Sequence, residues 1–302
     1  MDHSQTASQT DVDRPPPLLP GLAGLADRYD GFILDLWGVV HDGLQPYPHA
    51  VDCMMRLRRA GKQVCLLSNA PRRIASVTAR LREIGVPDDA YDHVLSSGEA
   101  THLALRDRPD AFHRGLGDRC FHLGPPRDND VHEGLPLAVV AAPEDASFVL
   151  ATGINDWDET VEDYEPVLQR CAAAGLPMVC ANPDLVVVVG DILAVCAGLM
   201  AQRYEELGGR VAYHGKPHAP VYQRCFAMMD LPRPRVLAIG DSLRTDIAGA
   251  AAAAIDSIFV TGGIHREELG CDADGNADPD RLRTALAESP HRPTAILPGL
   301  RW

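Results

Sequence analysis

Four polar side chains each stand just past a short apolar run: Asp35 after Phe32–Leu34, Ser68 after Val64–Leu67, Lys216 after Val211, and Asp241 after Val236–Ile239. A second carboxylate, Asp246, follows Asp241 within Gly240-Asp-Ser-Leu-Arg-Thr-Asp-Ile247. Paired carboxylates in such a turn suit a hard divalent cation such as Mg²⁺, which takes oxygen ligands. A serine hydroxyl beside backbone N–H groups at a helix start suits an anion. Lys216 is fixed between Gly215 and Pro217, and a compact ammonium so placed suits a phosphate as a point charge. Each feature alone has a plainer reading, since a lone Asp in such a turn more often caps a helix. Together they shift the balance from a helix cap toward a site for a cation and an anion.

The elements that must position these groups can be read from the same runs. Short apolar segments with β-branched members suit buried parallel strands, and in open parallel sheets ligands bind just beyond the strand C-termini. Gly240 permits a sharp turn, and Ser242 or Thr245 can cap the helix that Ile247–Ala254 continues. Pro48–Ala60 reads as a helix, and Ile74, Val77, Leu81 and Ile84 recur at helical spacing within Arg72–Gly85. His93–Leu95 reads as a strand and Ser97–Leu105 as a helix. Further strands are expected near Cys120–Leu123, Leu137–Val140, Ser147–Ala151 and Met178–Ala181, with a helix over Val161–Ala174 between the last two. This alternation favours an α/β fold. The charged, Pro- and Gly-containing stretch 107–117 marks passage into a second domain, and Gly208–Gly209 marks the return. The expected division is a disordered tail over residues 1–16, a core from 17–108 and 209–302, and an inserted domain over 109–208.

The order Asp35, Ser68, Lys216, Asp241/Asp246 resembles the four motifs of the haloacid dehalogenase (HAD) superfamily. Ser68-Asn-Ala-Pro71, Asn182-Pro-Asp-Leu185, Gly215-Lys-Pro217 and Gly240–Ile247 are similar to its class IIA, NagD-like phosphatase branch, over about residues 30–265. The resemblance implies a Rossmann-like parallel-sheet core with an inserted α/β cap of the C2 type. It implies Mg²⁺-dependent hydrolysis of a small organic phosphate, such as a sugar or nucleotide phosphate, through an aspartyl-phosphate. Carried over to this sequence, Asp35 is the nucleophile, while Ser68, Asn69, Lys216 and Asn182 bind substrate or its phosphate. Asp35, Asp241 and the backbone carbonyl of Trp37 would hold Mg²⁺, with Asp246 in support. Caps of this branch often contribute to dimers, so a homodimer is an expectation as well. Arg72, Arg73 and Trp157 stay open between substrate contact and plain surface. Ile258–Val260 resembles the last core strand, and Leu297–Trp302 is open between packing on the core and simply ending the chain.

One position departs from the pattern. The family's phosphatases carry a second aspartate two residues past the nucleophile, as general acid and base, and here that residue is Trp37. An indole N–H donates a hydrogen bond but does not shuttle protons at neutral pH. General acid–base help is worth about 10²–10⁴-fold, so its loss slows ester cleavage without removing the rest of the site. An acyl or aryl phosphate, with its good leaving group, would suffer least. His41 and Asp42, in Val40-His-Asp-Gly43, are candidate replacement proton shuttles, and histidine titrates in the right range. Their plainer role is to shape a turn. Two other readings remain open: a catalytically weak or inactive phosphometabolite-binding protein, and a C–P or C–halogen hydrolase, in which no ester oxygen needs a proton.

Composition bounds the partners. At 302 residues, 46% of them hydrophobic, the chain can bury a large core divided between two lobes. A net charge of −14 with no basic stripe argues against nucleic acid and leaves a small phosphorylated metabolite open, since a recessed lysine and Mg²⁺ act locally. Arg56, Arg58 and Arg59 are expected to face solvent. The eight cysteines form no CxxC pair and the twelve histidines no HExxH spacing, which favours reduced, buried thiols over structural zinc. Met1–Thr10 lacks the basic start and apolar stretch of a secretory signal. The most apolar stretch, Leu185–Met200, is shorter than a bilayer span and contains Asp191. A cytoplasmic protein without membrane contact is the expectation.

Overall fold

The computed structural model describes residues 15–189 and 192–302. Its strands in chain order begin with β1 (Gly31–Leu34), β2 (Gln63–Ser68) and β3 (His93–Ser96). Next come β4 (Arg119–Leu123), β5 (Ala138–Val140), β6 (Phe148–Ala151), β7 (Met178–Cys180), β8 (Val186–Val189), β9 (Ile192–Val195) and β10 (Val211–Tyr213). The chain ends with β11 (Val236–Gly240), β12 (Asp256–Val260) and β13 (Ala295–Leu297). They form two parallel sheets and one antiparallel hairpin. The first sheet has the order β13-β12-β11-β1-β2-β3, the second β10-β7-β6-β4-β5, and β8 pairs with β9.

The first sheet is buried on both faces, which is why its strands read as unbroken apolar runs. In β1, Phe32 and Leu34 join Met54, Leu57 and Leu66 in one cluster, while Ile33 joins Cys65, Leu95 and Tyr222 in another. Burying each such side chain stabilises by roughly 1.5–3 kcal/mol. Helix Pro48–Arg59 covers one face. Proline at its start needs no helical N–H, and Ala50, Cys53, Met54 and Leu57 form the buried stripe. Its Arg56, Arg58 and Arg59 lie in the last turn, where they favour the helix dipole; Arg56 pairs with Asp52 and Arg58 with Asp92.

Strand β1 sits between β2, its sequence neighbour, and β11, which arrives from the far end of the chain. The order reverses at this point, so the C-terminal ends of β11, β1 and β2 flank a crevice where an open α/β sheet takes its ligand. Asp35 follows β1, Ser68 ends β2, and Asp241 follows β11.

The second sheet packs helices Val161–Ala173 and Ala197–Glu206 through Leu168, Cys171, Met200 and Tyr204. Thr160 and Asp163 form a capping box at the start of the first of these. Two boundaries differ from the sequence reading. The return was expected at Gly208–Gly209, yet β10 still pairs with β7, so the chain regains the first sheet only at residues 214–216. Strand β13 adds beyond β12, making Asp256–Val260 the penultimate strand, and the following Leu300 is fully buried. Of the tail expected over 1–16, residues 1–14 lie outside the described residues; the Pro17 carbonyl accepts from the Ile296 N–H. No helix among the described residues is long and apolar enough to cross a membrane.

Candidate active site

Lys216 lies at the centre of the crevice, with 3% of its side chain exposed. Its Nζ is 2.6 Å from Asp35 Oδ1 and 2.7 Å from Asp246 Oδ1. The Leu36 N–H also donates to Asp35 Oδ1, at 2.7 Å, and the Ser242 N–H to Asp246 Oδ2, at 3.2 Å. Both Asp246 oxygens are therefore committed within the protein. Asp241 Oδ2 accepts the Ile264 N–H at 2.7 Å. The backbone must come very near this carboxylate: a Cβ on Gly38 (φ +74°) would lie 1.9 Å from Asp241 Oδ2. Ser242 caps the turn after β11 by accepting the Thr245 N–H, and a wide turn over Leu243–Ile247 swings Asp246 back toward Lys216.

The electrostatics are lopsided. Burial pushes the Asp35 carboxyl up to about 7, against the pull of Lys216 and with a further upward push from Asp246. Asp241 is raised well above the ordinary carboxylate range, by burial first and then by Asp35 and Asp246. Burial alone would lower Lys216, but Asp246, Asp35 and Asp184 outweigh it and hold the ammonium well above its usual value. More buried carboxylate than one lysine can balance, all of it oxygen donors, matches what a hard divalent cation requires. Asp35, Asp241 and Asp246 bring ligand atoms within 4.8 Å of one another. With both Asp246 oxygens occupied, Asp35 and Asp241 are the carboxylates that fit Mg²⁺.

Of the residues singled out from sequence, the structure gathers Asp35, Ser68, Asn69, Lys216, Asp241 and Asp246 in one place. Ser68 Oγ accepts the Ala70 N–H at 3.1 Å, which leaves its own proton to donate. Asn69 borders the cavity beside the carboxylates, with its side-chain amide bonded within the protein. Its Oδ1 accepts the Lys216 N–H, and its Nδ2 donates to the Lys216 carbonyl and to Asp184 Oδ1. Asn182 also turns inward, its Oδ1 accepting the Asp184 N–H at 3.0 Å. Arg72 Nε pairs with Asp128 and Arg73 with Glu99, and Arg72 also borders the cavity. His41 is buried, its Nδ1 accepting the Gly43 N–H, and Asp42 Oδ1 accepts the Leu44 and Gln45 N–H groups. Both residues thus shape the turn after Trp37.

Asp184 is the residue sequence reasoning passed over. It reaches Asn69 from the second domain, at 2.9 Å, and burial raises its carboxyl above the ordinary range. Its place in Asn182-Pro-Asp184 was visible, but nothing local showed that the loop would meet Ser68-Asn69. Gly215 makes that meeting sterically feasible. It has φ +124°, and a Cβ there would lie 2.5 Å from Asn69 Oδ1 and 2.8 Å from Pro183 Cδ.

A cavity of about 970 Å³ opens beside the carboxylates. Trp37 borders it from the core, and Arg127, Trp157, Val187 and Leu193 border it from the second domain. The Arg127 guanidinium lies over the Trp157 ring, 4.5 Å from its centre.

Comparison with known proteins fits this geometry. Models described as haloacid dehalogenase-like hydrolase match residues 32–137 and 127–254, and a HAD-hydrolase-like model matches 213–302. A crystal structure of a haloacid dehalogenase-like family hydrolase from Brucella suis 1330 is 35% identical, covers 93% of this chain and 99% of its own, and superposes with a TM-score of 0.80. The D-glycerol 3-phosphate phosphatase of Mycobacterium tuberculosis is 28% identical over 250 residues, which is 81% of this chain and 66% of that protein's length. A glycerol phosphate phosphatase structure from M. tuberculosis, in complex with magnesium, is 25% identical with a TM-score of 0.66, covering 90% of this chain and 75% of its own.

Proposed function

This chain belongs to the haloacid dehalogenase-like hydrolases, and we propose that it is a Mg²⁺-dependent phosphatase of a small organic phosphate, acting through an aspartyl-phosphate on Asp35. The observation that carries this reading is the Lys216 ammonium, held at 2.6 Å from Asp35 and 2.7 Å from Asp246 at the ends of neighbouring strands. Asp35 and Asp241, with the backbone carbonyl of Trp37, are the groups that would hold Mg²⁺. Bound there, the ion would offset the repulsion between an anionic carboxylate and an anionic phosphate.

The chain's own residues do the rest. Asp35 attacks phosphorus, and the bond to the leaving oxygen breaks. Lys216 and the Ser68 hydroxyl stabilise charge on the phosphoryl oxygens, in the manner of preorganised donors. Asp246 fixes the lysine rather than the metal, since both its oxygens are engaged. Water then attacks the aspartyl-phosphate and releases Asp35. The second domain lies over the crevice and limits bulk water there. The division into a core of 17–108 and 209–302 with a cap over 109–208 forms part of this proposal, with the return shifted to residues 214–216.

Phosphate release from p-nitrophenyl phosphate and from sugar and nucleotide monophosphates, with and without Mg²⁺, tests the reading. Metal-dependent turnover that disappears in Asp35→Asn is the expected result. Trp37 supports a second reading, a phosphometabolite-binding protein with little turnover. Tight, Mg²⁺-dependent ligand binding without phosphate release would select it. The partners proposed are a small phosphorylated metabolite and a second copy of this chain, with no nucleic acid or membrane surface. The exposed Ile192 and Leu193 of the β8–β9 hairpin support a homodimer, and a monomer by light scattering would rule it out. Cysteines that are all free, seven of the eight buried, support a reducing, cytoplasmic setting.

A further inference from the structure

Asn69 grips Lys216 by its backbone. Its Oδ1 accepts the Lys216 N–H at 2.7 Å, and its Nδ2 donates to the Lys216 carbonyl at 3.0 Å. A side-chain amide has two N–H donors, and the other goes to Asp184 Oδ1 at 2.9 Å. Asn69 is buried, so little water is at hand to replace any of these partners. Turned over, the amide would set its NH₂ against the Lys216 N–H and its oxygen against two acceptors. The bonds therefore fix one orientation of Asn69, and that orientation fixes the Lys216 backbone.

The second domain presents Asp184 from a well-held loop. The Asp184 N–H donates to Asn182 Oδ1 at 3.0 Å. Its carbonyl accepts the Gly198 N–H at 3.1 Å, at the start of helix Ala197–Glu206. A Cβ on Gly198 would lie 2.4 Å from that carbonyl oxygen, so loop and helix touch directly. The Asp184 carboxylate thus moves with the second domain, whereas Asn69 follows the end of β2.

Resting on the hydrolase reading, we propose that Asp184 is a positioning residue: through Asn69 it sets the Lys216 loop, so that the lysine is aligned between Asp35 and Asp246 only while the second domain is docked. Lys216 Nζ stands 2.6 Å from one carboxylate and 2.7 Å from the other. A misplacement of about 1 Å in such a site costs about 10²-fold in rate. Lifting the second domain away takes the acceptor from Asn69 Nδ2 and loosens the clamp on the lysine backbone. Closure over a substrate restores it, so the group that stabilises phosphoryl charge is completed by the same movement that limits bulk water.

The sequence contains two lysines, Lys62 and Lys216, so protein labelled with [¹⁵N]lysine reports the Lys216 amide directly by NMR. Lys62, whose N–H is bonded to the Leu57 carbonyl in the core, is the internal reference. In metal-free Asp184→Ala, the Lys216 amide should exchange with solvent about tenfold faster relative to Lys62. With Mg²⁺ and p-nitrophenyl phosphate, kcat should fall by about 10- to 100-fold while KM changes by less than about threefold. Asp184→Asn keeps an acceptor for Asn69 and should recover most of both losses. Asp128→Ala cuts Arg72–Asp128, a different tie across the same seam, and should not speed exchange at Lys216. If Asp184→Ala does not fold, Lys62 exchanges fast as well, and Asp184→Ser, whose hydroxyl falls short of Asn69, carries the same test. Unchanged Lys216 exchange or unchanged kcat in the Ala variant would overturn the inference, as would an Asn variant no better than Ala. Equal acceleration in Asp128→Ala would reduce Asp184 to one more domain contact. A wild type without Mg²⁺-dependent turnover would remove the hydrolase reading, and the Lys216 amide, read without metal or substrate, would then decide whether Asp184 holds the lysine.

Discussion

Asp35 carries two opposed demands: it must be anionic to attack phosphorus, yet it is buried deeply enough that its carboxyl is pushed up to about 7 from an ordinary 3.8. The folded chain therefore holds a proton there that the unfolded chain gives up. The stability this contributes is complete below about pH 4 and is lost as pH rises through about 7, at up to about 1.4 kcal/mol per pH unit. Asparagine at this position has no charge to bury, so the metal-free Asp35→Asn variant should gain on the wild type between pH 5 and pH 8. Urea midpoints at the two pH values measure the widening gap, and a constant gap counts against the raised carboxyl. Mg²⁺ binds ionised carboxylates and must displace this proton at lower pH. Its addition should accordingly raise the wild-type melting temperature more at pH 8 than at pH 6, and a response independent of pH would mean the ion sits elsewhere.

Among elements, those that carry the chemistry were the legible ones. Phe32–Leu34 and Val236–Ile239 announce themselves because a strand buried on both faces has no polar alternation, and Asp35 and Asp241 break those runs at their ends. Less legible were contacts made across the fold. Asp184 meets Asn69 from 115 residues away, and no local pattern encodes that. The β8–β9 hairpin is encoded locally, since Gly190-Asp191 between the apolar runs Val186–Val189 and Ile192–Val195 is a two-residue hairpin signal. Gly215 joins three of these elements, and its positive φ and crowded Cβ position make Gly215→Ala a strained change. A loss of about 1–3 kcal/mol in chemical denaturation is expected, together with weakened turnover as the Lys216 loop shifts; unaltered kinetics would argue that the loop tolerates displacement. The start of helix Ile74–Glu83 depends on the second domain, because Asp130 Oδ2 accepts the Arg73 N–H at 3.0 Å and the Ser76 hydroxyl at 2.6 Å. Removing that carboxylate in Asp130→Ala should cost about 0.5–2 kcal/mol, as loss of a helix cap does. Thermal melts of this variant against the wild type would show it.

Among the described residues the two parallel sheets meet at a seam that holds the reactive cluster. Asn69–Asp184, Arg72–Asp128 and Arg244 to the Pro183 carbonyl all cross between the sheets, so the cavity is closed by groups that belong to different folding layers. Such ties are polar and few beside the apolar clusters within each sheet, and local opening is expected where buried apolar contact is thinnest. The seam should therefore be the first part of the molecule to exchange its amide hydrogens. A ligand that binds only the assembled site stabilises that arrangement by mass action. Orthovanadate with Mg²⁺, a phosphate-like oxyanion, should slow exchange at residues 126–131 and 182–185 by tenfold or more, while β1 and β6, already protected in the apolar clusters, change little. Hydrogen exchange read by mass spectrometry resolves these segments. Protection confined to residues 35–43 and 241–246 would show that the core alone holds the anion and that the second domain closes over it only when an organic leaving group fills the cavity.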